Sequence, residues 1–250
     1  MKGIILAGGT GSRLYPLTKV TNKNLLPIGK YPMIYHSVYK LKESGIEEIL
    51  IVTGREHMGD VVDLLGSGFE FGVEFSYKVQ EKAGGIAEAL GLARDFTESE
   101  KMVVILGDNI FTDTIRPYVQ HFAQQESGAK ILIKEVEDPK RFGVPVIYDG
   151  RIIAIEEKPM VPKSNYAVTG IYMYDSTVYR IIDQLTPSAR GEMEITDVNN
   201  HYIKEGLLKF DVLRGRWTDA GTHSSYAQAN IMAQNMDFSN LFEKEAVLMK

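Results

Sequence analysis

A chain of 250 residues, 44% of them hydrophobic, is long enough to bury a sizeable core as one large domain or two interleaved lobes. Its formal net charge of −5 argues against a duplex-binding surface, which needs a concentrated basic face, so nucleic acid is not an expected partner. The absence of cysteine excludes disulfides, thiolate chemistry and cysteine zinc sites. The start MKGIILAGG lacks the longer apolar core of a signal peptide, and no apolar run approaches the ~18 residues that span a bilayer. A cytoplasmic protein with no membrane partner is the expectation.

Taken in chain order, Lys2 to Ala7 reads as a buried parallel strand ending in glycines. Pro32 to Gly45 places Ile34, Val38 and Leu41 on one helical face, with proline suited to the first turn and glycine to the end. Ile49 to Thr53 is the next strand, Gly84 to Arg94 a helix, and MVVILGDN a β-branched strand ending at Gly107-Asp108. Ile115 to Gln125 reads as a helix, and AKILIKEV as another strand.

The rhythm then changes. VPVIYDGRIIAIEEKP carries Asp149-Gly150 between two alternating runs, which is a strong hairpin signal. YAVTGIYMYD is a further strand, ITDVNNHYIKEG a helix stopped by Gly206, and His223 to Asn235 a last helix. No internal repeat or long linker interrupts this order. The pattern predicts an α/β fold: a three-layer α/β/α sandwich with a mixed, mostly parallel, Rossmann-like sheet. The second half is expected to add a hairpin-bearing insertion on the same sheet.

Chemistry concentrates first in Leu6 to Thr18, LAGGTGSRLYPLT. The loop follows a strand, so it lies at a carboxyl edge, where open α/β sheets bind ligands. Gly8, Gly9 and Gly11 permit positive φ and close approach to the backbone, and exposed amides in such a turn attract anions. Arg13 adds a guanidinium fork matched to phosphate oxygens, and Lys23 a second cation. A dinucleotide fingerprint fails because Leu14 stands at the third glycine position, and a P-loop fails because Ser12-Arg13 follows Gly11. What remains is a phosphate site of another type.

GGTGSRLYPLT, Lys23, LLPIGKYPMIYH, LGDN, EEKP, KSNYAVTGIY, ARGEMEITDVN and WTDAGTH occur in this order along nearly the whole chain. Together they resemble the sugar-phosphate nucleotidyltransferase family, and within it the short forms that join dTTP to glucose 1-phosphate. The resemblance implies one nucleotidyltransferase domain, with about 1–110 for the nucleotide, about 111–222 for the sugar phosphate, and a helical tail over 223–250. It implies Mg²⁺ as cofactor, held by Asp108 and Asp219, since magnesium is bound by one or two carboxylates plus substrate phosphates. Taken alone, each aspartate also suits an ordinary turn or cap.

Further roles follow from the same resemblance. Leu6, Gly8, Gly9, Gly11, Arg13, Lys23 and Asp108 are expected around the nucleotide, with Gln80 and Gly85 reading its base. Lys158 and Arg190 are expected at the sugar phosphate, and Asn109, Gly143, Glu157, Val168 and Tyr172 around the sugar. Without the family, Glu156-Glu157-Lys158 reads as a solvated charge cluster. The sugar-phosphate oxygen is already an anion, so no general base is needed; Arg13, Lys23 and Lys158 are the expected catalytic cations. The implied product, dTDP-glucose, leads towards dTDP-rhamnose and related deoxysugars, and a homotetramer or other homo-oligomer is the family's habit.

Alternatives are a uridylyltransferase on the same sugar phosphate, because thymine and uracil share the edge Gln80 would read, and a non-catalytic nucleotide-sugar sensor. The five histidines show no metal-ligand spacing. Departures from the family pattern are Asn24, where glutamine is common beside a nucleotide contact, Gly29-Lys30-Tyr31, and Pro145, which is expected to disturb hairpin pairing. The chain also ends soon after Asp219, short of the helices that in longer members help form a second nucleotide site.

Overall fold

In the computed structural model, which describes residues 1–242, alternate residues of the apolar runs pack on opposite faces of one sheet. Ile5, Ala7, Ile49, Ile51, Val103 and Ile105 belong to one core, and Ile4, Leu6, Leu50, Val52, Met102 and Val104 to the other. Period-two side-chain direction forces this division, and a strand covered on both sides must be apolar throughout.

In chain order the strands are β1 (Lys2–Ala7), the short pair β2 (Pro27–Ile28) and β3 (Tyr31–Pro32), β4 (Glu48–Gly54), β5 (Glu74–Gln80), β6 (Met102–Leu106) and β7 (Asn109–Phe111). They continue as β8 (Ala129–Glu135), β9 (Gly143–Tyr148), β10 (Arg151–Glu157), β11 (Tyr166–Tyr174), β12 (Leu208–Val212) and β13 (Trp217–Asp219). The helices are α1 (Met33–Glu43), α2 (Met58–Leu65), α3 (Ile86–Gly91), α4 (Arg94–Thr97), α5 (Arg116–Gln124), α6 (Thr177–Ile182), α7 (Ile195–Lys204) and α8 (His223–Ala233).

The central sheet has seven strands in the order β12-β8-β11-β6-β1-β4-β5. All run parallel except β11, which is antiparallel to both β6 and β8. Helices α1, α2 and α5 cover one face, and α3, α6 and α7 the other. The mixed, mostly parallel three-layer sandwich is therefore as expected. α8 forms a smaller core with Ile28, Met33 and Ile110, and a Thr222–Ser225 capping box starts it.

Several local expectations change. The helix expected over Gly84 to Arg94 begins only at Ile86 and ends at Gly91, because Gly85 sits at φ 101°, outside helical space. The β9–β10 hairpin forms its own two-stranded sheet rather than extending the central one. Pro145 keeps its place in that pairing, opposite Ile155; the irregularity falls at Ile153 instead. Pro32 is the residue before α1 and not part of its first turn. Helices α2 and α6 and strand β12 had no counterpart in the sequence reading. Positions 243–250 of the expected helical tail lie outside the described residues.

Candidate active site

Parallel strands place the carboxyl ends of β1, β4, β5 and β6 along one edge, and a cleft of about 580 Å³ opens there. Gly9 and Gly11 both take positive φ, at 94° and 62°, which turns the chain sharply off β1. The turn leads into a single 3-10 turn, Ser12–Leu14, anchored by fully buried Leu14. Arg13 on that turn projects from an exposed position into the cleft. Gly11 does not line the cleft. A Cβ there would stand 2.8 Å from Thr18 Cγ2, and Thr18 Oγ1 donates to Gly11 O at 2.9 Å.

Lys23 is brought beside this loop by its two neighbours. Asn22 Nδ2 and Asn24 Nδ2 both donate to Ala7 O, at 3.1 and 2.9 Å, tying the Lys23 turn to the end of β1. Asn24 is fully buried and does not line the cleft; its bonds to Ala7 O and Asn22 Oδ1 brace the turn that carries Lys23. Lys23 Nζ donates to Asp108 Oδ2 at 2.5 Å. Burial pushes the Asp108 carboxyl up, but Lys23, a hydrogen bond from Asn109 and the charge of Arg13 outweigh it and hold it below the usual range.

The second aspartate arrives through the β7–β13 pair, whose register sets Asp219 opposite Asn109. Ala220 N donates to Asp108 O at 2.7 Å, locking the two acidic segments together. Burial, followed by the negative charge of Asp108, raises the Asp219 carboxyl despite Arg141, Arg13 and Lys23. No group of three or more acidic or histidine side chains suited to a metal occurs among the described residues. Two carboxylates facing a cleft suit a magnesium ion that takes its other ligands from water and phosphate.

Across the cleft, Gly143 opens β9 directly opposite Glu157 at the end of β10. Lys158 follows in the left-handed region at φ 46°, a conformation costly for a side chain other than glycine. Glu157 accepts from Thr196 Oγ1 at 2.6 Å and lies 3.4 Å from both Lys158 Nζ and Arg190 Nη2. Arg190 is held more closely by Glu194, with its Nη2 2.8 Å from each carboxylate oxygen.

Asn109 is a junction of three segments. Its Oδ1 accepts from Gly170 N at 2.9 Å and from Trp217 Nε1 at 2.7 Å, while Nδ2 donates to Asp108 at 3.2 Å. A bulge in β11 between Val168 and Tyr172 frees Gly170 for that bond.

Every sequence-predicted site residue except Gly11 lines this one cleft. Arg141, Trp217, Thr196 and Glu194 line it too and were not singled out. Trp217, Thr196 and Glu194 lie inside the motifs WTDAGTH and ARGEMEITDVN, which carried a usable signal. Arg141, in the turn before β9, carried none.

Comparison with known proteins agrees with this fold. The model of the nucleotidyl transferase family matches residues 2–235. A glucose-1-phosphate thymidylyltransferase of Neisseria meningitidis serogroup A is 42% identical over 240 residues, covering 94% of this chain and 83% of the relative. A Bacillus anthracis chain named as a glucose-1-phosphate thymidylyltransferase, solved with sucrose, superposes with a TM-score of 0.94 at 64% identity, covering 97% and 98% of the two chains. A UDP-glucose pyrophosphorylase solved with UDP-glucose superposes with a TM-score of 0.83 at 26% identity, covering 92% and 97%.

Proposed function

The chain belongs to the nucleotidyl transferase family, and on that premise we propose that it joins dTTP to α-D-glucose 1-phosphate, giving dTDP-glucose and pyrophosphate. The observation that carries this reading is the gathering, in one cleft, of Arg13 and Lys23 with Asp108 and Asp219 and of Lys158 and Arg190. Two polyanions must be held together for this reaction, and the cleft carries a cationic pair for each.

A phosphate oxygen of glucose 1-phosphate attacks the α-phosphorus of dTTP, and the bond from that phosphorus to the bridging oxygen of the β-phosphate breaks. Pyrophosphate leaves with the electron pair of that bond, and no proton needs to be removed from the nucleophile because the attacking phosphate oxygen is already an anion. Lys158 and Arg190 bind and aim the attacking phosphate, while Arg13 and Lys23 offset charge on the triphosphate. Asp108 and Asp219 would hold Mg²⁺ together with the nucleotide phosphates, and the ion would supply further positive charge to offset theirs. Glu157, held by Thr196, accepts from sugar hydroxyls, and Gln80 reads the base.

Pyrophosphate release tests the reading, with dTTP, UTP, CTP and GTP each offered against glucose, galactose and mannose 1-phosphates in Mg²⁺. Fast release only with dTTP and glucose 1-phosphate is expected. A higher rate with UTP would make the chain a uridylyltransferase, and binding without release from any pair would make it a nucleotide-sugar sensor.

A further inference from the structure

We infer that Glu88 sets the orientation of the Gln80 amide and thereby decides which pyrimidine the cleft accepts, an inference that rests on Gln80 reading the base. A glutamine amide has a donor end and an acceptor end, and a half-turn exchanges them. Gln80 Nε2 lies 3.2 Å from Gly85 O and 3.0 Å from Glu88 Oε2. A backbone carbonyl and a carboxylate only accept. The rotated amide would set its own oxygen against two acceptors, losing both bonds and adding repulsion. Oε1 is thereby turned towards the glycine loop, 3.0 Å from where a Cβ on Gly8 would stand. Gln80 and Gly8 both line the cleft, whereas Glu88 does not.

The place of Glu88 is built into the backbone around it. A Cβ on Gly84 would stand 1.7 Å from Glu88 Oε2, so the carboxylate lies against Gly84 in space that any other residue would fill. Gly85 is equally constrained, because a Cβ there would stand 2.4 Å from Met193 O. Gly84 thus makes room for the carboxylate behind the amide, and Gly85 for the Met193 backbone beside it. Glu88 is a positioning residue that acts through Gln80.

The chemical consequence is selective. An acceptor directed at the base pairs with the ring N3–H of thymine or uracil. Cytosine presents a bare N3 at the same position and meets lone pair against lone pair. Glu88 therefore excludes cytosine nucleotides but does not separate dTTP from UTP.

The test compares calorimetric binding and steady-state rates for dTTP and dCTP in the wild type, Glu88→Gln, Glu88→Ala and Gln80→Ala. Freed of its carboxylate, the Gln80 amide can turn, so Glu88→Ala lowers the dTTP-over-dCTP preference about tenfold, the scale of one hydrogen bond made or opposed. The change falls in KM, with kcat for dTTP held within about twofold, because chemistry is remote from the base. Glu88→Gln keeps the shape but can face either end of the amide, so it gives a smaller fall even if Glu88→Ala does not fold. A purely structural role would weaken both nucleotides alike. Wild-type preference in both Glu88 variants, with preference lost in Gln80→Ala, would overturn the inference alone. Preference retained in Gln80→Ala would remove the base-reading role of Gln80, and the inference with it.

Discussion

Arg141 grips Asp219 with a single guanidinium nitrogen, which lies 3.1 and 3.0 Å from the two carboxylate oxygens. The same carboxylate is one of the two that suit a divalent cation, so cation and guanidinium compete for it. Arg141→Met should tighten Mn²⁺ binding about fivefold, the size of one partly exposed ion pair. Electron paramagnetic resonance of free Mn²⁺ reads this directly. Weaker binding in the variant would instead make Arg141 a support of the metal site.

Lys23 and Asp108 form the most enclosed charge pair at the site, with side chains 16% and 12% exposed. Removing one partner strands the other, so Lys23→Met should cost about 3 kcal/mol in urea unfolding. Asp108→Asn added to it should recover most of that loss, since no buried charge is left unpaired. Additive losses in the double-mutant cycle would show that the pair does not act as a unit.

Arg13 contrasts with Lys23. It stands exposed on its 3-10 turn, so Arg13→Ala should leave the melting temperature within about 1 °C while lowering turnover about a hundredfold or more. A large fall in melting temperature with activity preserved would remove Arg13 from the reaction.

Trp217 is the only tryptophan, and its indole N–H reports on Asn109. A Cβ at Gly170 would stand 2.5 Å from Asn109 Nδ2 and 2.7 Å from Leu106 Cδ1. Gly170→Ala should therefore displace Asn109, cost roughly 1–3 kcal/mol as overpacking does, and shift the Trp217 emission. Unchanged emission in the folded variant would mean that the junction absorbs a methyl group.

His36 supplies a pH dependence remote from the cleft. It is 3% exposed, and burial lowers its pKa from 6.5 to about 4, aided by Lys40 and opposed by its bond to Ile28 O. Below 6.5 the unfolded chain takes up a proton that the folded chain refuses, so stability falls with pH until about 4 and then levels. The full loss is roughly 3 kcal/mol. Urea unfolding at pH 7 and pH 4.5 should show most of it, and His36→Gln should flatten the difference. An equal slope in the variant would assign the acid sensitivity elsewhere.

Much of this protein was legible in its residues alone. The apolar runs of β1, β4 and β6 announced a buried parallel sheet because side-chain alternation leaves no polar position in a strand covered on both faces. LAGGTGSRLYPLT announced its loop because tolerance of positive φ, which Gly9 and Gly11 take up, belongs to glycine itself, and the ordered motifs named the two cationic pairs. Tertiary structure alone decided the rest. It placed Arg141 on Asp219 across 78 residues, hung Gly170 and Trp217 on Asn109 across 61 and 108, and detached the β9–β10 hairpin from the central sheet. It also turned Asn24 inward as a brace. These contacts depend on where distant backbones come to lie and on which way a side chain points once there, and neither is written in local propensity or spacing.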